Sequence, residues 1–300
     1  MSNVIKLHFP QMEGKRIYHY TSENGLLGIM QKGKIVLQLT KADSVNDTTE
    51  GIEIFEHLLK VCRKLLRKGI VDQAQHDEII SLKNAAKKEY PTTYFTGDYL
   101  FFDMKDSDVY IMSFCKNNDS LPMWKYYANS GQQGYSLHFN QDKFNDYILH
   151  KDSGIYIGFV IYSNKQKEKI ISDIITSSIS QRNYLRTIED SINEYQYFFK
   201  HTAFKDENEI RLMITLPKTT DKPTFETKFK MNRGHLVPYI EWEITQQSDS
   251  EMHMFLVNGI TIGPLANKEL ANRNMSLFLN ERDYPIASMK IENSQIPIRF

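Results

Sequence analysis

Along the chain the spacing of apolar residues switches repeatedly between a period of two and a period near 3.6, and each switch marks an element. Arg16 to Tyr20 is short and β-favouring, and Thr21 or Ser22 then offers a hydroxyl that suits a helix N-cap. Leu26, Leu27 and Met30 share one face of the helix that follows, and Gly33 is expected to stop it. Lys34 to Leu39 alternates as a strand. The clearest helix spans Ile52 to Lys68, with Ile52, Phe55, Leu59, Cys62 and Leu66 as its stripe, joined by Leu58 and Leu65. Its last turns carry Lys60, Arg63, Lys64, Arg67 and Lys68, which complement the negative end of the helix dipole and could also touch phosphates. A third helix is expected from Asp72 to about Tyr90.

Tyr110 to Cys115 is a continuous apolar strand, and Ser120 with Pro122 opens a short helix holding M-W-K-Y-Y-A. Further strands are expected at Tyr135 to Phe139, Ile155 to Tyr162, Glu209 to Leu216, Thr227 to Met231, Leu236 to Ile244, His253 to Val257, around I-T-I-G-P and at Ala287 to Ile291. Leu265 to Leu279 reads as a helix. A long polar helical region covers about Lys165 to His201, and its stretch S-D-I-I-T-S-S-I-S is a place to kink it or break it in two. Strands in clusters with helices inserted among them predict an α+β fold with a mixed or antiparallel sheet. We expect a single domain over residues 1–300, with a helical insertion around residues 165–201 that could divide it into two lobes.

Composition narrows the function. An apolar share of 41% and an aromatic share of 12% belong to a folded chain. Lys+Arg and Asp+Glu both number 37, so a general salt-driven grip on nucleic acid has no support from the global charge. Cys62 and Cys115 form no CxxC pair and read as buried thiols. With no apolar leader and no run approaching about 20 apolar residues, we expect a cytoplasmic protein that does not enter the membrane.

Four stretches could carry chemistry. The first is His19-Tyr20-Thr21-Ser22, where a strand ends and a helix begins. Free backbone donors there favour an anion, a histidine can donate to a ribose hydroxyl, and a tyrosine can stack on a flat ring. An ordinary helix cap beside a half-buried histidine accounts for the same residues. The second is Asn46-Asp47-Thr48-Thr49-Glu50, either a capping box or a place where Asn46, Asp47 and Glu50 hold a ligand or divalent cation. The third runs from Met123 to Tyr135, where Trp124 and Tyr127 either sandwich a base or simply fill the core. The fourth is Asp206 to Ile214: as a strand, period two puts Glu207, Glu209 and Arg211 on one face, opposite Ile210, Leu212 and Ile214. That polar face is either solvated surface or the floor of a cleft in which Arg211 keeps a glutamate ionised. No GxGxxG, P-loop, H-E-x-x-H or G-x-S-x-G is present, and the nine histidines do not cluster at zinc spacing.

Taken in order, H-Y-T-S, N-D-x-x-E, S-F-C with W-x-x-Y-A, E-x-E-x-R, P-Y-I, I-x-I-G-P and the closing S-x-I-P-x-R (Ser294 to Arg299) resemble a large bacterial family known only as a domain of unknown function. That resemblance implies a setting in antiviral defence or toxin activity. More distantly, His19, Thr21, Leu26, Ile29 or Met30, and Gly33 are similar to the opening strand and helix of mono-ADP-ribosyltransferases. The likeness implies an ADP-ribosyltransferase-like fold and NAD as substrate, with Glu209 as the catalytic carboxylate, Glu207 two residues before it, and His19 on a ribose hydroxyl. Tyr20 or Trp124 would cover the nicotinamide, and Arg211 would orient the glutamate or meet a phosphate. Tyr20, Thr21, Ser22, Asn46, Asp47, Ser113, Trp124, Tyr127 and Arg211 are candidates for holding NAD, and Ser113, Trp124 and Tyr127 compete for the middle place of the catalytic triad. Such a transfer needs a macromolecular acceptor, protein or nucleic acid. Two rivals remain open. One is a metal-dependent nuclease built on Asp47, Glu50, Glu207 and Glu209. The other is a non-catalytic nucleotide sensor whose helical region around residues 165–201 meets a regulatory partner protein.

Overall fold

A computed structural model describes residues 16–44, 51–85, 87–88, 101–102, 107–127, 133–144, 154–217, 225–232, 234–245, 256–264 and 267–297. The elements follow in the order β1 (Arg16–Ser22), α1 (Glu23–Ile29), β2 (Met30–Gln31), β3 (Lys34–Lys41), α2 (Glu53–Arg67), α3 (Gln73–Ala85), β4 (Lys87–Lys88), β5 (Phe101–Phe102), β6 (Ser107–Cys115) and α4 (Leu121–Tyr127). Then come β7 (Gly134–Asn140), β8 (Ile155–Phe159), α5 (Asn164–Ser178), α6 (Tyr184–Tyr195), β9 (Glu209–Pro217), β10 (Lys228–Asn232), β11 (His235–Thr245), β12 (Val257–Ile262), α7 (Lys268–Glu281) and β13 (Lys290–Asn293). All strands but the short β4–β5 pair belong to one 11-stranded sheet, and β12 with β13 forms a parallel pair among antiparallel ones. The fold is α+β with a mixed sheet, as the alternation of periods implies.

β6 is the hub. Along one edge it pairs with β9 over its whole length, from Ser107↔Pro217 to Cys115↔Glu209. The other edge is shared: β3 takes it at Thr40↔Ile111 and Lys41↔Tyr110, and β1 at Tyr18↔Cys115. Between those contacts, β1 and β3 part. β1 leads on to β7, β12 and β13, whereas β3 leads to β11 and β10. Among the described residues, those of β6 at the parting, Met112 to Phe114, therefore have no strand ladder on that side.

Alternation along β6 assigns its two faces. Tyr110, Met112 and Phe114 point into the main core with Ile17, Leu37, Leu39, Phe139, Phe144, Leu212 and Ile240. Val109 and Ile111, on the other face, pack with Met213 under Tyr197 and Phe198. Above that layer a second core joins α2 and α3 to the helices inserted between β8 and β9, through Phe55, Leu58, Val61, Ile171, Ile175, Ile188 and Ile192.

Several local expectations change. α1 ends at Ile29, because Met30 and Gln31 leave the helix to pair with Ile35 and Lys34. Gly33, at φ 71°, then serves the β2–β3 turn and not a helix C-cap. The buried stripe of α2 is Ile54, Phe55, Leu58, Val61, Cys62 and Leu65, turned by about one position from the stripe that the sequence suggests, so Leu59 and Leu66 are only half-buried. The insertion does break in two after the serine stretch. Thr176 and Ser177 bond back to carbonyls of the preceding turn, a competition that weakens helix continuation, and α6 begins only at Tyr184.

Candidate functional site

The parting of β1 from β3 creates the site. A carbonyl in the middle of a sheet ordinarily accepts from the neighbouring strand, but among the described residues Ser113 has no such neighbour on this edge. Its carbonyl accepts instead from Nδ1 of His19, at 2.8 Å. The Ser113 hydroxyl donates to Oε1 of Glu209, at 2.5 Å. His19 and Glu209, 190 positions apart in the sequence, are thus joined through one serine. They do not face each other across an open hollow, as a dinucleotide placed directly between them would require; Ser113 stands in between.

Burial holds His19 neutral. It lowers the imidazole pKa to about 4, although the bond to the Ser113 carbonyl pulls the other way, and Lys230 lies near enough to disfavour a second positive charge. A neutral ring that donates through Nδ1 presents Nε2 as an acceptor. The expected role of His19 as donor to a ribose hydroxyl is accordingly reversed: the hydroxyl would donate and Nε2 accept. Among the described residues Nε2 has no hydrogen-bond partner.

Glu209 sits in a closed ionic node. Arg211 donates from Nε to Oε1 at 2.8 Å and from Nη2 to Oε2 at 2.9 Å, while its Nη1 donates to the Tyr197 carbonyl. Lys200 reaches Oε2 of Glu209 at 2.9 Å and Oε2 of Glu207 at 2.6 Å. The Glu209 amide donates to the Tyr162 hydroxyl at 3.1 Å. Burial alone would raise the Glu209 pKa, but the Arg211 and Lys200 charges with the Ser113 and Lys200 hydrogen bonds more than offset it and hold the group below its ordinary value. Glu209 and Arg211 are 3% and 1% exposed, so the polar face of this strand is not solvated surface. Nor does strand alternation bring Glu207 here. It ends a 3₁₀ turn (Thr202–Glu207), and Asn208 in the left-handed conformation swings the chain into β9. Asparagine tolerates that conformation better than most residues.

The other candidates are spent on structure. Ser22 caps α1 by accepting from the Gly25 amide at 3.3 Å, and α1 is only seven residues long, so its start is no anion site. Thr21 is buried against Gly25, where an added Cβ would lie 1.9 Å from its Oγ1. The Tyr20 hydroxyl donates to the Asn117 carbonyl at 2.8 Å and accepts from the Ser120 amide at 3.0 Å, and its ring meets Trp124 edge-on at 4.7 Å. Trp124 donates to Asp119 at 2.6 Å. Both rings are core, which corrects the expectation that either covers a nicotinamide. Tyr127 donates to Glu207 at 3.2 Å, not to Glu209, so Ser113 alone of the three competitors bonds the buried carboxylate. Asn46, Asp47 and Glu50 lie outside the described residues.

Residues 123–212 match the family model described as "Protein of unknown function (DUF2971)". The resemblance to a family of unknown function holds over that segment, which carries W-x-x-Y, the helical insertion and E-x-E-x-R and stops one residue beyond Arg211. No curated protein and no solved structure matches the chain. Ser294 of the closing motif, outside the DUF2971 match, donates to Asp119 at 2.7 Å and so ties the end of the described chain to the loop before α4.

Sequence reasoning missed Lys200 and Tyr162. The only signal for Lys200 was a cation directly after the apolar run Tyr197-Phe198-Phe199, where a solvated lysine is out of place. Cys62 and Cys115 are buried and free, and burial pushes both thiols up to about 11. Among the described residues no helix is long and apolar enough to cross a membrane.

Proposed function

We propose that this protein cleaves NAD and transfers ADP-ribose to a macromolecular acceptor, protein or nucleic acid. The observation that carries the reading is the hydrogen-bonded path His19–Ser113–Glu209 at the parting of β1 and β3. The bond between ribose C1′ and the nicotinamide nitrogen breaks, the electron pair leaves with nicotinamide, and positive charge develops on the ribose. Glu209, ionised beside its cations, offers the counter-charge once Lys200 withdraws from it to Glu207, Ser113 fixes its carboxylate, and His19 accepts from a ribose hydroxyl. The acceptor's nucleophile then bonds to C1′ and loses its proton. Such an activity, turned on cellular NAD or on an essential macromolecule, suits the cytoplasm and the defence or toxin setting that the resemblance implies.

A second reading, a nucleotide-binding sensor without catalysis, is favoured by one specific feature: the Glu209 side chain is only 2% exposed and its oxygens are already bonded by Ser113, Lys200 and Arg211. The nuclease reading loses ground because the Lys200 ammonium occupies the position between Glu207 and Glu209 that a shared divalent cation would need. Purified protein is incubated with NAD labelled in its adenylate half and with cellular protein, DNA and RNA. We expect nicotinamide release or acceptor labelling that falls about 10²–10³-fold in Glu209→Ala and about tenfold in Ser113→Ala. No release and no labelling with any acceptor discards the transferase; nucleotide binding that survives Glu209→Ala without turnover establishes the sensor.

A further inference from the structure

The β10–β11 hairpin brings two lysines to one face of the sheet, and they are not alike. Lys228 meets Oε2 of Glu241 at 2.6 Å. The remaining oxygen of Glu241 accepts from Gln38 at 3.4 Å and from Tyr239 at 3.4 Å. Lys230, two residues on, makes no salt bridge among the described residues. Its contacts are Oε1 of Gln38 at 3.5 Å and the Tyr239 ring, 4.9 Å from the ammonium. It is nevertheless half-buried, opposite the buried Val237, and burial lowers its pKa against the partial help of Glu241. A half-buried ammonium that lacks a carboxylate partner is costly, so an apolar residue would serve stability better here.

His19 is near enough for the Lys230 charge to act on it, and Gln38 stands on β3 at the same parting. α1 packs against both β1 and β3, and a Cβ on its Gly28 would approach the Gln38 amide to 3.8 Å, an ordinary van der Waals contact. Among the described residues the parting therefore sets an acceptor without a partner, Nε2 of His19, near a cation without a carboxylate. A sugar hydroxyl satisfies the first and a phosphate the second. We propose that Lys230 is a phosphate-binding group, and that with His19 it receives the ribose-phosphate unit of a nucleotide where β1 and β3 separate. The inference rests on the proposed function for its choice of a nucleotide and deepens it by naming the group that meets the diphosphate. Glu241, whose charge acts on Lys230, is paired with Lys228 and does not repel the ligand as a bare charge would.

The test uses binding alone, with ADP and adenosine as probes that differ only in the diphosphate. Calorimetry on the wild-type chain should give ADP an advantage of about ten- to a hundredfold, the range of one charge-assisted contact. Lys230→Gln should erase that advantage while adenosine affinity stays, Lys230→Arg should keep most of it, and Lys228→Gln, which leaves Glu241 unpaired beside the site, should weaken it without erasing it. The proposal is overturned if the wild-type protein binds the two probes equally, binds neither, or if Lys230→Gln keeps the preference. The first two outcomes need no variant to fold. Glu209-dependent nicotinamide release without a Lys230-dependent ADP preference would sink this inference alone. An ADP preference without any nicotinamide release would sink the transferase and leave the phosphate site standing.

Discussion

Replacing Arg211 by methionine keeps the length and apolar stem of the side chain and removes its charge. In the native chain the guanidinium, 1% exposed, gives both a bidentate grip on Glu209 and a bond to the Tyr197 carbonyl. Its loss leaves Glu209 with Lys200 and Ser113, and strands a carbonyl of the layer that covers the sheet. Breaking a buried pair by deleting one partner costs about 3–5 kcal/mol; with Lys200 still in place the lower end, about 3 kcal/mol, is the expected loss. For a chain of 300 residues that corresponds to roughly 5 °C in Tm. Urea unfolding followed by tryptophan fluorescence measures it, and the double variant Glu209→Gln, Arg211→Met should cost less than the sum of the single changes.

The pH dependence supplies an independent check. Glu209 has a folded pKa below its unfolded value of about 4.3, so the unfolded chain binds more protons as acid is added. The stability that the group contributes is present above that value and is lost as the pH falls through it towards the depressed folded value. A protonated Glu209 has little need of Arg211, so the penalty of Arg211→Met should shrink as the pH falls from about 4.3 towards about 2. A penalty below about 1 kcal/mol, as at exposed pairs, would refute the buried-node account. So would a penalty that stays constant over that pH range.

Two further outcomes follow from the same physics. Lys167 is fully buried, donates to Glu53 at 2.5 Å and caps the Lys200 carbonyl at 2.8 Å, whereas Lys60 makes an equally short bridge to Glu168 but is 57% exposed. Lys167→Met should therefore cost about 3–5 kcal/mol and Lys60→Met under about 1 kcal/mol; equal costs in thermal unfolding would show that burial does not decide the matter. His138, 0% exposed and bonded through Nε2 to Thr261, is lowered to about 4 by burial. Its unfolded pKa lies near 6.5, so stability should fall as the pH drops from about 6.5 towards 4, and His138→Gln should flatten that slope in a pH series of melts; an unchanged slope would count against it.

How much of this was legible in the residues depends on range. Ser22 before a short apolar stripe, the strand Tyr110 to Cys115 and the break after the serine run are local signals, and the structure follows them. Gly33 misled because a turn glycine serves a helix end and a hairpin equally well, and only the pairing of Met30 with Ile35 decides which. The turn of the α2 stripe likewise depends on which neighbours cover it, here α3 and α5, and no local rule supplies that. His19, Glu209 and Arg211 stood out by residue type, but three side chains competed to join them. Ser113 was indistinct because its role comes from β1 and β3 parting beside it, a property of the whole sheet. Lys200 and Lys230 were invisible for a similar reason: a lysine reads as solvated until the fold removes its water.

The node also constrains the chemistry that it can perform. Glu209, with Ser113, Lys200 and Arg211 already bonded to its oxygens, offers a substrate no open face, and the charges of Glu207, Glu209, Lys200 and Arg211 sum to zero. A counter-charge for a developing ribose cation appears only when one cation withdraws. Arg211 is a poor choice, since it is anchored on the Tyr197 carbonyl as well as on both oxygens of Glu209. Lys200 is shared with Glu207, its shorter contact at 2.6 Å against 2.9 Å, and so can release Glu209 without losing its pairing. Glu207 in turn is held by Tyr127 of α4, which makes the two glutamates unequal partners: one keeps the lysine, the other is freed to act. On this argument the transferase reading requires Glu207 as well as Glu209, whereas the sensor requires neither to let go.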